Sequence, residues 1–320
     1  MRAIDPIDLT AIREAQERLR GTALRTPLLR LDIPEAPAEI YLKLENLQPI
    51  GSFKLRGAGN AMALAGPEAF AAGVYTASAG NMAQGVAWNA QRLGIPCHVV
   101  VPDHAPKNKL DAIARLGGVA IPVPFEDWWR VILEHEYAGM EGLFIHPVSD
   151  PAVIAGNGTI GLEILEDLPD VDAVVVPYGG GGLSCGIASA IKALKSDTLV
   201  FAAEVETAAP FAASLREGSP QEVDRVQTFV DGIGGKSVLP EMWPLASGLL
   251  DDSLVMSIKE VVDAIRTLAL RARVIAEGAG ATPVAAALAG KAGPGKVVCV
   301  VSGGNIETAH LVKILEGGSP

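Results

Sequence analysis

Residues 173–194 read AVVVPYGGGGLSCGIASAIKAL. The first four residues form a short, continuous apolar run, as expected for a strand covered by helices on both faces. The stretch 182–194 mixes small and branched apolar residues over thirteen positions and predicts a helix. Between the two stand Gly179, Gly180, Gly181 and Gly182. A floppy run of four glycines costs conformational entropy, so a backbone wrapped closely around a phosphate explains it better than a flexible turn. It is not a Walker loop, because no Gly-Lys-Ser/Thr follows.

The same unit of strand, glycine-containing turn and helix recurs outward from this stretch in both directions. Strands are predicted at 40–44, 73–77, 98–101, 119–123, 199–203 and 297–301, and helices at 83–93, 107–116, 158–165 and 259–273. Residues 1–19 form an amphipathic, charge-rich helix candidate without the apolar centre of a signal peptide. The alternation predicts the α/β class, with open, mostly parallel twisted sheets flanked by helices. No repeat, low-complexity segment or flexible linker interrupts it. In such sheets ligands bind beyond the carboxyl ends of the strands, so the turns after the strands carry the chemistry.

Composition narrows the function. The chain has 320 residues, 49% hydrophobic and 20% charged, enough to build a substantial core. With 26 basic and 37 acidic side chains the net charge is 26 − 37 = −11, and no basic patch offers a footprint for nucleic acid. No uncharged apolar run reaches the roughly 18 residues of a membrane span. Cys97, Cys185 and Cys299 are an odd number without C-x-x-C spacing, so no disulfide framework is expected and a cytoplasmic location is. The five histidines show no metal-binding spacing, and there is no G-x-S-x-G elbow of a hydrolase.

Three further turns join the glycine loop. Lys54, in Gly51-Ser-Phe-Lys-Leu-Arg-Gly-Ala58, is flanked by Phe53 and Leu55. Alone it reads more readily as a snorkelling surface lysine, but if desolvated its amine can attack a carbonyl. Ser78, Ala79, Gly80 and Asn81 follow a predicted strand and open a predicted helix, forming either an anion site or an ordinary N-cap. Ser302, in Ser-Gly-Gly-Asn after VVCVV, can hydrogen-bond a ring nitrogen or simply cap a turn. The stretch from Gly156 to Gly161 matches G-x-G-x-x-G, but no strand leads into it and no acidic residue follows about twenty positions on. A dinucleotide site there is rejected.

Taken in order, S-F-K-L-R-G-A, S-A-G-N, G-G-G-G-L and S-G-G-N closely resemble the fold type II pyridoxal-phosphate enzymes, whose sheets are tryptophan synthase beta-like. The nearest branch is the threonine/serine dehydratases, with serine racemase and hydroxyaspartate dehydratase as relatives. The likeness runs from about Thr22 to Glu307. It implies that Lys54 binds pyridoxal 5′-phosphate as a Schiff base and then serves as the base at Cα. It also implies that Phe53 packs on the cofactor ring, Asn81 bonds the ring hydroxyl, Gly179 to Gly182 hold the phosphate and Ser302 meets the pyridine nitrogen. Ser78 and the backbone of Ala79, Gly80 and Asn81 receive the substrate carboxylate.

The implied reaction is β-elimination from an L-β-hydroxy amino acid, L-threonine or L-serine by default, to a 2-oxo acid and ammonia. Ala79 stands where serine racemase has a second base, which favours one-sided chemistry. Met82 replaces a histidine common in relatives and is expected to bear on the pocket. A divalent or monovalent cation is implied at Glu204 and the carbonyl of Ala208, although Pro210 holds the third position and Glu206 is the acid left nearby. The resemblance further implies a large cofactor-binding domain of residues 1–50 and 147–320, a small, mobile substrate-closing domain of 51–146, and a homodimer. No regulatory domain like that of biosynthetic relatives is expected after the last turn. The alternatives are hydroxyaspartate dehydratase or racemase activity, and a catalytically silent protein that binds cofactor or metabolite.

Overall fold

A computed structural model describes residues 3–320. The strands are β1 (Leu28–Arg30), β2 (Glu39–Lys43), β3 (Val74–Ala77), β4 (Cys97–Pro102), β5 (Val119–Val123), β6 (Leu143–Phe144), β7 (Ala173–Pro177), β8 (Leu199–Val205), β9 (Asp252–Met256) and β10 (Lys296–Val300). The helices are α1 (Leu9–Arg18), α2 (Lys54–Ala65), α3 (Asn81–Leu93), α4 (Lys107–Arg115), α5 (Phe125–Glu134), α6 (Pro151–Asp167), α7 (Gly182–Leu194), α8 (Pro210–Glu217), α9 (Trp243–Leu249), α10 (Ile258–Thr267), α11 (Gly278–Leu288) and α12 (Thr308–Leu315).

Two sheets result. The larger runs β1-β2-β10-β7-β8-β9 and is parallel except for β1, which pairs antiparallel with β2. The smaller runs β5-β4-β3-β6 and is wholly parallel. Strand β10 lies between β2 and β7, with Cys299 opposite both Leu42 and Val175. This central position explains its unbroken apolar sequence, because helices cover both faces.

Each predicted strand is present within two residues of its expected bounds. The three not anticipated, β1, β6 and β9, are all sheet edges, where half-exposed positions break the apolar run. Helix α6 starts seven residues before the expected 158, because Asp150 caps it by accepting from the Ala152 amide at 2.8 Å and Pro151 occupies its first turn. The helix expected over 259–273 closes at Thr267 and passes into a π-helical turn over Leu268–Ala272, with Arg273 left-handed at φ 59°.

The rejected G-x-G-x-x-G stretch lies inside α6, where its glycines let three helices touch. A Cβ on Gly156 would sit 2.6 Å from the Arg56 carbonyl on α2, and one on Gly158 2.8 Å from the Gly186 carbonyl on α7. A buried ionic network joins two of these helices, α2 and α6, to the end of β2. Arg56 donates to Glu45 at 2.9 Å and to Glu163 at 2.7 Å, and Lys43 donates to Glu163 and to the Thr26 carbonyl. Two carboxylates balance two cations, so no buried charge lacks a partner. The network fixes α2 against α6 and thereby sets where Lys54, the first residue of α2, stands.

Candidate active site

Helices α3 and α7 each begin just beyond the carboxyl end of a strand, and α2 begins beside the turn that follows β10. The Phe53 amide donates to the Ser302 carbonyl at 3.0 Å, and the Gly304 amide to the Gly51 carbonyl at 2.9 Å. The S-G-G-N turn is thus joined to the segment that carries Lys54. On α3, a Cβ at Gly85 would lie 2.9 Å from the Lys54 carbonyl, so the starts of α2 and α3 pack backbone to backbone.

Lys54 is half-buried. Its Nζ donates to the Pro147 carbonyl at 2.8 Å and lies 5.1 Å from the centre of the Phe53 ring. Burial without a carboxylate partner pulls its pKa down to about 8. Roughly a tenth of the amine is therefore neutral at pH 7, a nucleophilic fraction that a solvated lysine lacks. A snorkelling lysine turns its Nζ outward, whereas this one is bonded inward to the Pro147 carbonyl.

The loop 179–182 leads into the first turn of α7, with Gly181 left-handed at φ 95°. A Cβ on Gly180 would lie 2.6 Å from the Val148 side chain, and one on Gly182 2.7 Å from the Val148 carbonyl. The backbone is drawn tightly over Val148, and α7 has no side-chain N-cap. Unpaired helix-terminal amides at the end of a close-packed glycine turn are suited to a phosphate. One residue before Phe53, the buried Ser52 hydroxyl has no partner. A desolvated lysine, a glycine turn with free helix-terminal amides and an orphaned hydroxyl together fit pyridoxal phosphate.

Ser78, Ala79, Gly80 and Asn81 are half-buried at the start of α3. The Ser78 hydroxyl accepts from the Gly80 amide at 3.2 Å, and Gly80 opens the helix without a side-chain cap. Asn81 is engaged on both sides. Its Nδ2 donates to Glu277 at 2.8 Å and its Oδ1 accepts from Asn305 at 2.8 Å. One N–H of its amide is left over, directed from a fixed side chain. Ser302 is buried beside this group, after β10.

Met82 does not shape the site in the expected way. It is buried within the apolar cluster of the smaller sheet, with Ala83, Val86 and Val99, because the second residue of α3 turns toward the core. Glu204 also has other work. Its oxygens accept from the amides of Phe211 (3.0 Å) and Ala212 (2.7 Å) in the first turn of α8 and from the Ser253 hydroxyl (2.6 Å). Glu206 accepts from the Ile258 amide at the start of α10. These carboxylates serve helix ends, Pro210 supplies no donor beside Ala208, and the residues present do not fit a cation. Among the described residues, no group of three or more His, Cys, Asp or Glu side chains is placed to share a metal.

Several residues of the site carried no signal in the sequence. Glu277 is half-buried. Loss of hydration, reinforced by the charge of Asp231, pushes its pKa up to about 7 against the hydrogen bond from Asn81. Pro147 and Val148 contribute through a carbonyl and a packing surface. Asn305 belongs to the quoted S-G-G-N turn, so its position was available although its partner was not. All three cysteines are free and buried, and burial raises each thiol pKa. No described helix is long and apolar enough to cross a membrane.

Comparison with known proteins gives a consistent result. Residues 19–303 match the family model described as pyridoxal-phosphate dependent enzyme. An L-threonine ammonia-lyase of Thermotoga maritima is 43% identical over 98% of this chain and 79% of its own length. The catabolic L-threonine dehydratase of Escherichia coli is 38% identical, over 97% and 96%. Among solved structures, a threonine deaminase isoform of Solanum lycopersicum superposes with a TM-score of 0.88 at 33% identity, covering 98% of this chain and 89% of that one. Maize serine racemase gives 0.87 at 32%, covering 98% of both.

Proposed function

The chain belongs to the pyridoxal-phosphate dependent enzyme family, and from that premise we propose that it is an L-threonine ammonia-lyase, with L-serine as a second substrate. The single observation that carries the reading is Lys54: a desolvated amine, partly neutral at physiological pH, at the start of α2 between the start of α3 and the S-G-G-N turn. Lys54 would hold the cofactor covalently, residues 179–182 with the first amides of α7 would hold its phosphate, and Ser302 would meet the pyridine nitrogen. The free N–H of Asn81 would reach the ring hydroxyl, and Phe53 would flank the ring.

When bound, the cofactor supplies an electron sink for charge developing at the substrate Cα. The Ser78 hydroxyl and the amides at the start of α3 orient the substrate carboxylate. The free Lys54 amine would take the Cα proton onto Nζ, and as the Cβ–O bond breaks the resulting ammonium would return one proton to the leaving hydroxyl, which departs as water. The freed enamine hydrolyses to 2-oxobutanoate and ammonia from threonine, or pyruvate and ammonia from serine. Ser302 is neutral and weakens the sink relative to a carboxylate partner, which favours rapid loss of the β-group. Ala79 offers no proton carrier on the opposite face, which disfavours racemisation.

We further propose that the enzyme works in the cytoplasm, a reading supported by its free, buried cysteines, and that it acts as a homodimer, as its resemblance implies. The lobes are proposed as residues 1–50 with 147–320, and 51–146. The test is 2-oxo acid release from a panel of L- and D-β-hydroxy amino acids, with Lys54→Ala as control. Release from L-threonine that is lost in the variant is expected. Preference for threo-3-hydroxyaspartate would move the assignment to that dehydratase, and silence toward every member despite bound cofactor would reject catalysis.

A further inference from the structure

His146 lies at the joint where the smaller sheet hands the chain to α6, and it makes a hydrogen bond on each side. Its Nε2 donates to the Ile132 carbonyl on α5 at 3.1 Å. Its Nδ1 accepts from the amides of Val148 (3.1 Å) and Ser149 (2.7 Å), with the Ser149 hydroxyl also 3.1 Å away. This pattern requires one neutral tautomer. The ring is buried and stacked on His135 at 4.2 Å and 17°, and burial takes its pKa down to about 3. Two amides converging on one nitrogen fix the turn 146–149. That turn presents the Pro147 carbonyl to Lys54 and places Val148 beneath Gly180 and Gly182.

We propose that His146 is a positioning residue for cofactor capture, its acceptor nitrogen holding the turn that aligns the Lys54 amine and supports the phosphate loop. One side chain thereby ties α5, on the smaller sheet, to both the Lys54 side and the phosphate-loop side of the cofactor site. The inference rests on the role given above to Lys54.

The experiment compares His146→Asn, His146→Phe and His146→Ala, each titrated with pyridoxal 5′-phosphate by absorbance and checked for folding by circular dichroism and melting temperature. Asparagine restores an acceptor for the two amides. Phenylalanine keeps the ring and its stacking but has no acceptor. The expected result is a cofactor Kd raised about tenfold in the Phe and Ala variants, with an altered visible band, and a Kd within about threefold of wild type for Asn. Wild-type affinity and spectrum in His146→Phe, or an Asn variant no better than Ala, would overturn the proposal. If the Phe variant does not fold, the Asn–Ala comparison decides. Lys54→Ala separates the two readings: a persisting covalent band in that protein would overturn the role of Lys54 rather than that of His146.

Discussion

Asn81 on α3 and Glu277 at the start of α11 meet through a 2.8 Å hydrogen bond between chain segments 196 residues apart. The carboxyl of this pair is poorly hydrated and faces the charge of Asp231, so ionising it is unfavourable, and its pKa is pushed up to about 7. The folded protein therefore keeps the Glu277 proton up to that pH, whereas the unfolded chain loses it near the ordinary glutamate value. Folding binds a proton in between, so this group's contribution to stability declines as pH rises from about 4.5 to 7 and then levels off. Glu277→Gln keeps an acceptor for Asn81 and removes the charge. Melting temperatures from pH 5 to 9 should show the variant gaining on wild type as pH increases, with the difference saturating above 7. A constant difference across the range would refute the assignment.

Lys54 titrates in the opposite chemical sense, because its neutral form is the reactive one. With the pKa held at about 8 by burial, the rate at which the cofactor-free protein captures pyridoxal phosphate should rise about tenfold per pH unit below 8 and level off above it. Stopped-flow absorbance between pH 6 and 9 measures this. A rate independent of pH would mean that amine deprotonation does not limit capture.

The glycines of the phosphate loop should differ from one another. Gly180→Ala and Gly182→Ala place a methyl group 2.6 and 2.7 Å from Val148 atoms, whereas the nearest atom to a Cβ on Gly179 is 3.4 Å away. Cofactor Kd should rise about tenfold or more for the first two and markedly less for Gly179→Ala, as read by titration. Equal effects at all three positions would show that general flexibility matters rather than the fit against Val148.

Arg56 is predicted to matter for stability far more than its distance from solvent suggests. Arg56→Met leaves Glu45 and Glu163 short of a partner in a site with no water access, at a cost of about 3–5 kcal/mol in denaturant unfolding. Against the cost of burial, Arg56 holds the Glu45 carboxyl below its usual range, so part of the loss should be recovered at low pH, where the orphaned acids take up protons. Destabilisation below about 1 kcal/mol would mean that the network contributes little.

The parts of the fold that could be read from the chain were those with an unbroken physical signal. The interior strands β7 and β10 carry nearly unbroken apolar runs because both faces are covered, and α7 is delimited at its start by the glycine turn and along its length by its pattern. Helix α11 gave no such signal. Its sequence GAGATPVAAAL is buried on nearly every side, so no polar face marks a period, and Pro283 lies inside it. The site divided in the same way. Lys54, Asn81, the glycine loop and Ser302 sit in turns whose residue types are unusual in themselves. Glu277, Pro147 and His146 look ordinary in sequence, and only the tertiary fold brings them to the site.

The register of β10 between β2 and β7 also has a consequence for biosynthesis. The nascent chain can assemble the smaller sheet as soon as residue 144 is made, but the centre of the larger sheet stays open until residue 300 emerges. Ser302 and Gly303 must then dock on the segment at 51–53 before Lys54 acquires its final surroundings. Productive cofactor loading is therefore a late event on the ribosome or one that follows release, and a premature stop upstream of β10 yields a protein with the reactive lysine but without the pocket that makes it reactive.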